Sequence, residues 1–428
     1  MIESTLRTLA TTLTLMAGCA MPTAEPADPL AGANLFGRVT QYADLGDHRT
    51  GGRADSETTA WLASELERWG YAVELQPFDV KQFFPAEQSL DANGLRLEVF
   101  PHWLPKPADS LKAPLVPLRE TDLEGKIAYL SPEEAGEWYR VRPSDLAVTA
   151  ASKGALALVV ALPHPSGEIY VTNAAHPFLD AALPIPTVVV AARNDEKLQP
   201  LLGSEEVVEL ESKGEMREVT AHNVLARYPA REIPGAPWTV ISTPTSGWFR
   251  CAGERGSGVA LWLGLAEWIA QGNHGQKNWL FVANSGHELS FAGAHVSLPA
   301  VPPSEDVALW LHLGASIAAR AWQETAEGLE PMNRVHDYNQ LFYRDNLSSL
   351  VDATFARIPQ LQTLPYQQMR PGRSELNEIL RAGYRAMGFV GPHRFFHTPL
   401  DLPSVTSPEL LEPYGEALRR LVREVAAD

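Results

Sequence analysis

Ser242-Thr243-Pro244-Thr245-Ser246-Gly247-Trp248-Phe249-Arg250-Cys251-Ala252-Gly253-Glu254-Arg255-Gly256-Ser257-Gly258 is the stretch on which the fold turns. It lies between Thr239–Ser242, an apolar run that reads as a buried strand, and Gly258–Ala270, which reads as a helix. In an open α/β sheet, ligands bind beyond the carboxyl ends of the strands, so a polar loop between a strand and a helix marks a candidate site. Two more strand ends carry polar residues. Asn284-Ser285-Gly286-His287-Glu288 follows the strand Trp279–Ala283, and His312-Leu313-Gly314 ends the strand Leu309–Leu313. A fourth cluster, Phe396-His397-Thr398-Pro399-Leu400-Asp401, comes late in the chain.

The surrounding chain has the rhythm that such a sheet needs. Asp55-Ser56 can cap a helix running to about Trp69, with Leu62, Leu66 and Trp69 on one face. Gly70 stops it, and Tyr71, Val73 and Leu75 alternate with polar or small residues as in a half-buried strand. From Asn223 onward, strands (Val224–Arg227 and those named above) alternate with helices, the last two expected at Leu376–Met387 and Pro408–Val422. This predicts an α/β fold with a mostly parallel mixed sheet and helices on both faces. Between about Ser89 and Glu218 the texture differs. Prolines are frequent, Ile127–Leu130, Leu156–Ala161 and Thr187–Val190 read as buried strands, and Asp145–Lys153 reads as a small helix. The expected organisation is a leader and tether at 1–30, an α/β domain at 31–88 and 219–428, and a β-rich insert at 89–218.

Composition limits the function. With 45% hydrophobic and 20% charged residues, the 428-residue chain can bury a sizeable core, which excludes a wholly disordered or collagen-like protein. The net charge of −17 repels phosphates, so nucleic acid is not an expected partner. The two cysteines, Cys19 and Cys251, form no disulfide framework. Near the start, Arg7 precedes a short apolar run and then Leu15-Met16-Ala17-Gly18-Cys19. This resembles a bacterial lipoprotein signal, which implies export and a lipid anchor at Cys19 as the sole link to a membrane.

These residues, in this order, resemble the zinc aminopeptidases and glutaminyl cyclases of metallopeptidase family twenty-eight, over residues 35–90 and 219–428. The capped helix with its Gly stop and strand, the stretch His222-Asn223-Val224-Leu225-Ala226, the turn Gly256-Ser257-Gly258-Val259 and His397-Thr398-Pro399-Leu400-Asp401 carry the likeness. The insert resembles a protease-associated domain through Lys153-Gly154-Ala155 and Ile185-Pro186-Thr187-Val188. The resemblance implies two zinc positions and a general base, but several positions differ. The first His falls at Pro244 or its neighbours, the bridging Asp at Glu254, the base Glu at His287 and the second Asp at Gly314, with His312 two residues earlier. Glu288 and His397 match a ligand Glu and the last His. One zinc position should therefore be empty, and the other would keep Glu254, Glu288 and His397 as an open shell with room for water.

The resemblance then implies peptidase- or aminopeptidase-type amide hydrolysis with a single zinc. Water would be activated by the metal and His287, and the substrate would be a peptide or small amide. Alternatives stay open at this point. Arg255 beside Glu254 offers an ion pair that would take Glu254 out of the shell. His287 is either a base or a ligand, and His312 reads more simply as a hydrogen-bonded core residue. Ser246, Trp248 and Asp401 are further site candidates. A second function is an inactive peptide-binding relative that keeps the fold. A third is metal-free chemistry using Cys251 as nucleophile with His287 as base.

Overall fold

The computed structural model describes residues 28–174, 181–273, 275–369 and 374–427. The leader and Cys19 lie outside the described residues.

Four parallel strands form the centre of a mixed sheet. Asn278–Asn284 pairs with Trp238–Pro244, which pairs with Val307–His312, which in turn pairs with Ala386–Val390. The antiparallel Val207–Tyr228 flanks one side and Gln340–Tyr343 the other. Successive side chains on a strand point to opposite faces, and the sequence obeys this period. Ile241, Phe281 and Leu311 enter one core, while Val240, Leu280 and Trp310 enter another. The first core is roofed by Gly32–Asp44, Ser257–Ala270 and Pro408–Ala427, and the second by Glu375–Arg381. Helix Ser257–Ala270 is apolar nearly all round because it is buried between the sheet and two other helices.

The expected helix, Gly stop and strand are present, but Asp55-Ser56 is not the cap: the helix begins at Arg53 after Gly52, and Asp55 lies within its first turn. A helix runs from Arg53 to Arg68 with Leu62 and Leu66 buried, and Gly70 takes a positive φ of 84° before the strand. That strand is much longer than its alternation suggested. It spans Ala72–Ala92 and runs antiparallel to Val207–Tyr228. Between these two strands, Ala108–Pro117, Ile127–Leu130, Ala157–Ala161 and Thr187–Val190 pair in parallel. Their alternate faces fill two further cores, Tyr129 and Val159 in one, Leu130 and Val160 in the other.

The helix expected over Leu376–Met387 is two elements. A helix spans Glu375–Arg381, Gly383 turns the chain at φ 93°, and Ala386–Val390 is the fourth parallel strand. Its apolar residues are buried in the sheet, and that burial outweighs helix periodicity. No helix among the described residues is long and apolar enough to cross a membrane.

Asn223 ties the flanking strand to the site. It is fully buried, donates to Gly293 O at 2.8 Å and Gln76 Oε1 at 3.1 Å, and accepts from Ser285 N at 3.2 Å. Asn223→Ala strands these partners, so urea denaturation should show a stability loss of ~1–3 kcal/mol with an unchanged m-value. A neutral result would contradict this anchoring role.

Candidate active site

The parallel strands Trp238–Pro244, Asn278–Asn284, Val307–His312 and Ala386–Val390 deliver their following loops to one end of the sheet. The loop after the first is wound into a wide turn, in which Arg255 N and Gly256 N both donate to Cys251 O, at 2.8 and 3.0 Å. Asp401 clamps this turn by accepting from Gly253 N at 2.7 Å and Glu254 N at 2.9 Å. Gly253 is needed there, since a Cβ would come within 2.5 Å of Val405 and 3.0 Å of Asp401. Cys251 and His397 both hold left-handed φ values, 50° and 58°. Such strain persists where packing dictates it, often at functional sites.

The turn places Glu254 and Arg255 side by side in the interior, each 1% exposed. Arg255 Nη2 donates to Glu254 Oε1 at 2.6 Å, and Arg255 Nε donates to Ser246 O at 3.0 Å. The same Glu254 oxygen lies 2.9 Å from His397 Nε2. His397 Nδ1 meets Val171 O at 2.7 Å, and a carbonyl can only accept, so Nδ1 carries a proton. Burial alone would raise the Glu254 carboxyl, but the Arg255 guanidinium and His397 outweigh it and hold the group well below the usual carboxylate range. Glu254 Oε2 and Arg255 Nη1 are buried without a partner.

Glu288 does not join this pair. Its Oε1 accepts from Thr50 N at 2.9 Å and Thr50 Oγ1 at 2.5 Å, and its Oε2 accepts from Ser246 Oγ at 2.6 Å. Arg49, itself buried, supplies an attractive charge to Glu288. Desolvation, only partly opposed by that attraction, lowers Arg49 to about 10. Ser246 Oγ also accepts from His287 N at 3.1 Å, so this serine joins the loops of the first two strands.

His287 has a partner that its sequence neighbourhood did not reveal. Its Nδ1 lies 2.9 Å from Glu375 Oε1, while Glu375 Oε2 accepts from Asn284 Nδ2 at 3.1 Å. Burial and then Arg255 lower His287 from its ordinary value, with Glu375 opposing them, so the ring favours its neutral form. Glu375 sits at the start of a helix 88 residues beyond His287. Only its place just after Ser374 at a helix start was visible in sequence, and that suggests capping rather than catalysis.

The other candidates divide. His312 is a core residue, with Nδ1 2.9 Å from Ser242 Oγ and its titration lowered to about 4 by burial. Trp248 packs against Phe100 and Trp103, donating from Nε1 to Asn173 Oδ1 at 3.1 Å. Cys251 is buried, and burial followed by Glu254 and Asp401 pushes its thiol well up, against a thiolate nucleophile. Val171, Asn173 and Ala174 were not anticipated at all. They bring residues 171–174 onto the site through His397, Trp248 and Glu288, whose carbonyl accepts from Ala174 N at 2.9 Å.

The described chain has the architecture of zinc aminopeptidases. It superposes on an aminopeptidase from Aneurinibacillus sp. strain AM-1 with TM-score 0.64 and 18% identity, covering 92% of this chain and 94% of that one. For BSAP, a zinc aminopeptidase from Bacillus subtilis, the values are 0.70, 16%, 94% and 96%. For a peptidase M28 precursor from Shewanella amazonensis SB2B they are 0.70, 18%, 92% and 96%. No family model and no curated protein matches the sequence.

The residues present do not suit the zinc shell expected from the sequence. Among the described residues, the one trio of ligand-type atoms within 4.8 Å of one another is Cys251, Glu254 and Asp401, not Glu254, Glu288 and His397. Asp401 is engaged by two backbone amides, and Glu254 carries a guanidinium. A zinc ion there would stand beside a like charge.

Asp55 gives the site a pH signature. Burial raises its carboxyl to about 7, although Gly51 N and Ser285 Oγ bond it. A folded pKa above the unfolded one means the native state binds the extra proton, so this group's contribution to stability falls as pH rises from about 4 to 7. Asp55→Asn should remove that slope. The variant should gain on wild type by at most ~1.4 kcal/mol per pH unit across the window, read from denaturation midpoints at each pH. A constant difference would sink this assignment.

Proposed function

We propose that this protein is a peptidase-like hydrolase acting on an amide or peptide bond, with His287 as the proton acceptor. The observation that carries the reading is the buried Glu375 carboxylate 2.9 Å from His287 Nδ1. A carboxylate on one ring nitrogen fixes the tautomer and leaves the other nitrogen free to take a proton. Water would give a proton to His287 Nε2 as its oxygen bonds to the substrate carbonyl carbon. Negative charge on the carbonyl oxygen would meet Arg255, whose Nη1 has no partner. The proton then passes to the amine nitrogen as the C–N bond breaks. The fold, shared with aminopeptidases, supports the substrate class. A zinc-activated water has less support, because Arg255 engages Glu254 and Thr50 with Ser246 engage Glu288.

The second reading is a peptide-binding protein without turnover; Glu254, Arg255 and Glu288, each 1% exposed, are engaged with one another's neighbours rather than open to a reacting group. We further propose that the protein is exported and lipid-anchored at Cys19, on the pattern Leu15–Cys19, and that residues 89–218 are a protease-associated-type insert. A panel of aminoacyl anilides and short peptides, assayed for release and for binding heat, separates the two functional readings. Turnover should fall ~10²–10⁴-fold in His287→Ala. Glu375→Gln should lower kcat and move the acidic limb of the pH profile downward, since Glu375 favours the imidazolium. Heat of binding without product in wild type would select the binding protein instead.

A further inference from the structure

We infer that Arg255 is the resident cation of this site, a built-in replacement for a metal ion, and that the chain takes no zinc there. The inference deepens the proposed function, but it rests on the ion pair alone and stands if hydrolysis fails.

The buried Glu254 carboxylate is paired with the buried Arg255 guanidinium, and buried Arg49 exerts an attractive charge on Glu288. A buried carboxylate needs such a partner, and removing one side of the pair is strongly unfavourable. The Arg255 head group is fixed rather than mobile. Its Nε donates to Ser246 O at 3.0 Å, its Nη2 donates to Glu254 Oε1 at 2.6 Å, and its backbone belongs to the turn that Asp401 clamps. The Glu254 oxygen bound by Arg255 is also the one that faces His397 Nε2 at 2.9 Å. In a metal site, a histidine that gives its other nitrogen to a backbone carbonyl points its free nitrogen at the ion. His397 has that posture through Val171 O, but its Nε2 faces a carboxylate oxygen, which can only accept, so that nitrogen donates to a carboxylate already bound to a guanidinium and offers no lone pair to an ion. A divalent ion placed there would repel Arg255 through a low dielectric.

The inference predicts a cation-shaped hole where the guanidinium is removed. Metal content of the full chain, purified without chelator, should show zinc far below one per protein. Its thermal midpoint should be unmoved by EDTA, by added zinc and by millimolar guanidinium. Arg255→Ala should unfold at a lower temperature than wild type, and zinc or guanidinium should raise its midpoint selectively. Arg255→Lys keeps a positive charge and should stay indifferent to both, which provides a folded control should the alanine variant not accumulate. One tightly held zinc in wild type, with a midpoint that drops in EDTA, would overturn the inference. So would an Arg255→Ala protein that folds and responds to neither cation. None of these readouts is an activity, so they leave the hydrolase reading to be judged separately.

Discussion

The site is organised around one buried ion pair. Arg255 and Glu254 are adjacent in sequence, yet both heads are withdrawn from water and bonded at 2.6 Å. Adjacent residues in a regular helix point about 100° apart, so this contact needs the wide turn after Cys251. The turn in turn needs Asp401 on its amides, the close approach at Gly253 and the left-handed Cys251. The late His397–Asp401 segment therefore supports the loop from below while its histidine meets the carboxylate from the side.

A second layer of contacts joins distant parts of the chain to this pair. Thr50, from the loop between helices Gly32–Asp44 and Arg53–Arg68, and Ser246, from the central loop, together hold both oxygens of Glu288. Val171 and Ala174 hold His397 and the Glu288 backbone. Residues 171–174 are thus part of the site's wall. Tyr170 extends that wall, stacked between His164 and His397 at centroid distances of 4.6 and 5.9 Å.

The chain shares its fold with zinc aminopeptidases, and a fold can carry different site chemistries. The sheet depends on buried alternating residues such as Val240, Ile241, Leu280 and Phe281, which do not touch the polar cluster's hydrogen bonds. The loops at the strand ends can therefore change their charges without loss of the core. Here arginine pairs with carboxylate at Arg255 and Glu254, and histidine with carboxylate at His287 and Glu375.

The sequence by itself determined the α/β rhythm, the loops that would converge and the identity of Glu254, His287, Glu288 and His397 as their polar residues. Period-2 and helical burial are local patterns, and strand-end loops meet because parallel strands share a direction. It failed at Leu376–Met387, where an apolar run suits helix or strand equally until a sheet is present to bury it. Only the tertiary structure decided which charges pair. Glu375 with His287, Thr50 with Glu288 and Val171 under His397 are contacts between segments far apart in the chain. Arg255 was visible as a rival for Glu254, but whether its guanidinium lay in water or in the site depended on the turn's width and on Asp401. A charge's effect depends on its distance and its surroundings, and the order of residues specifies neither.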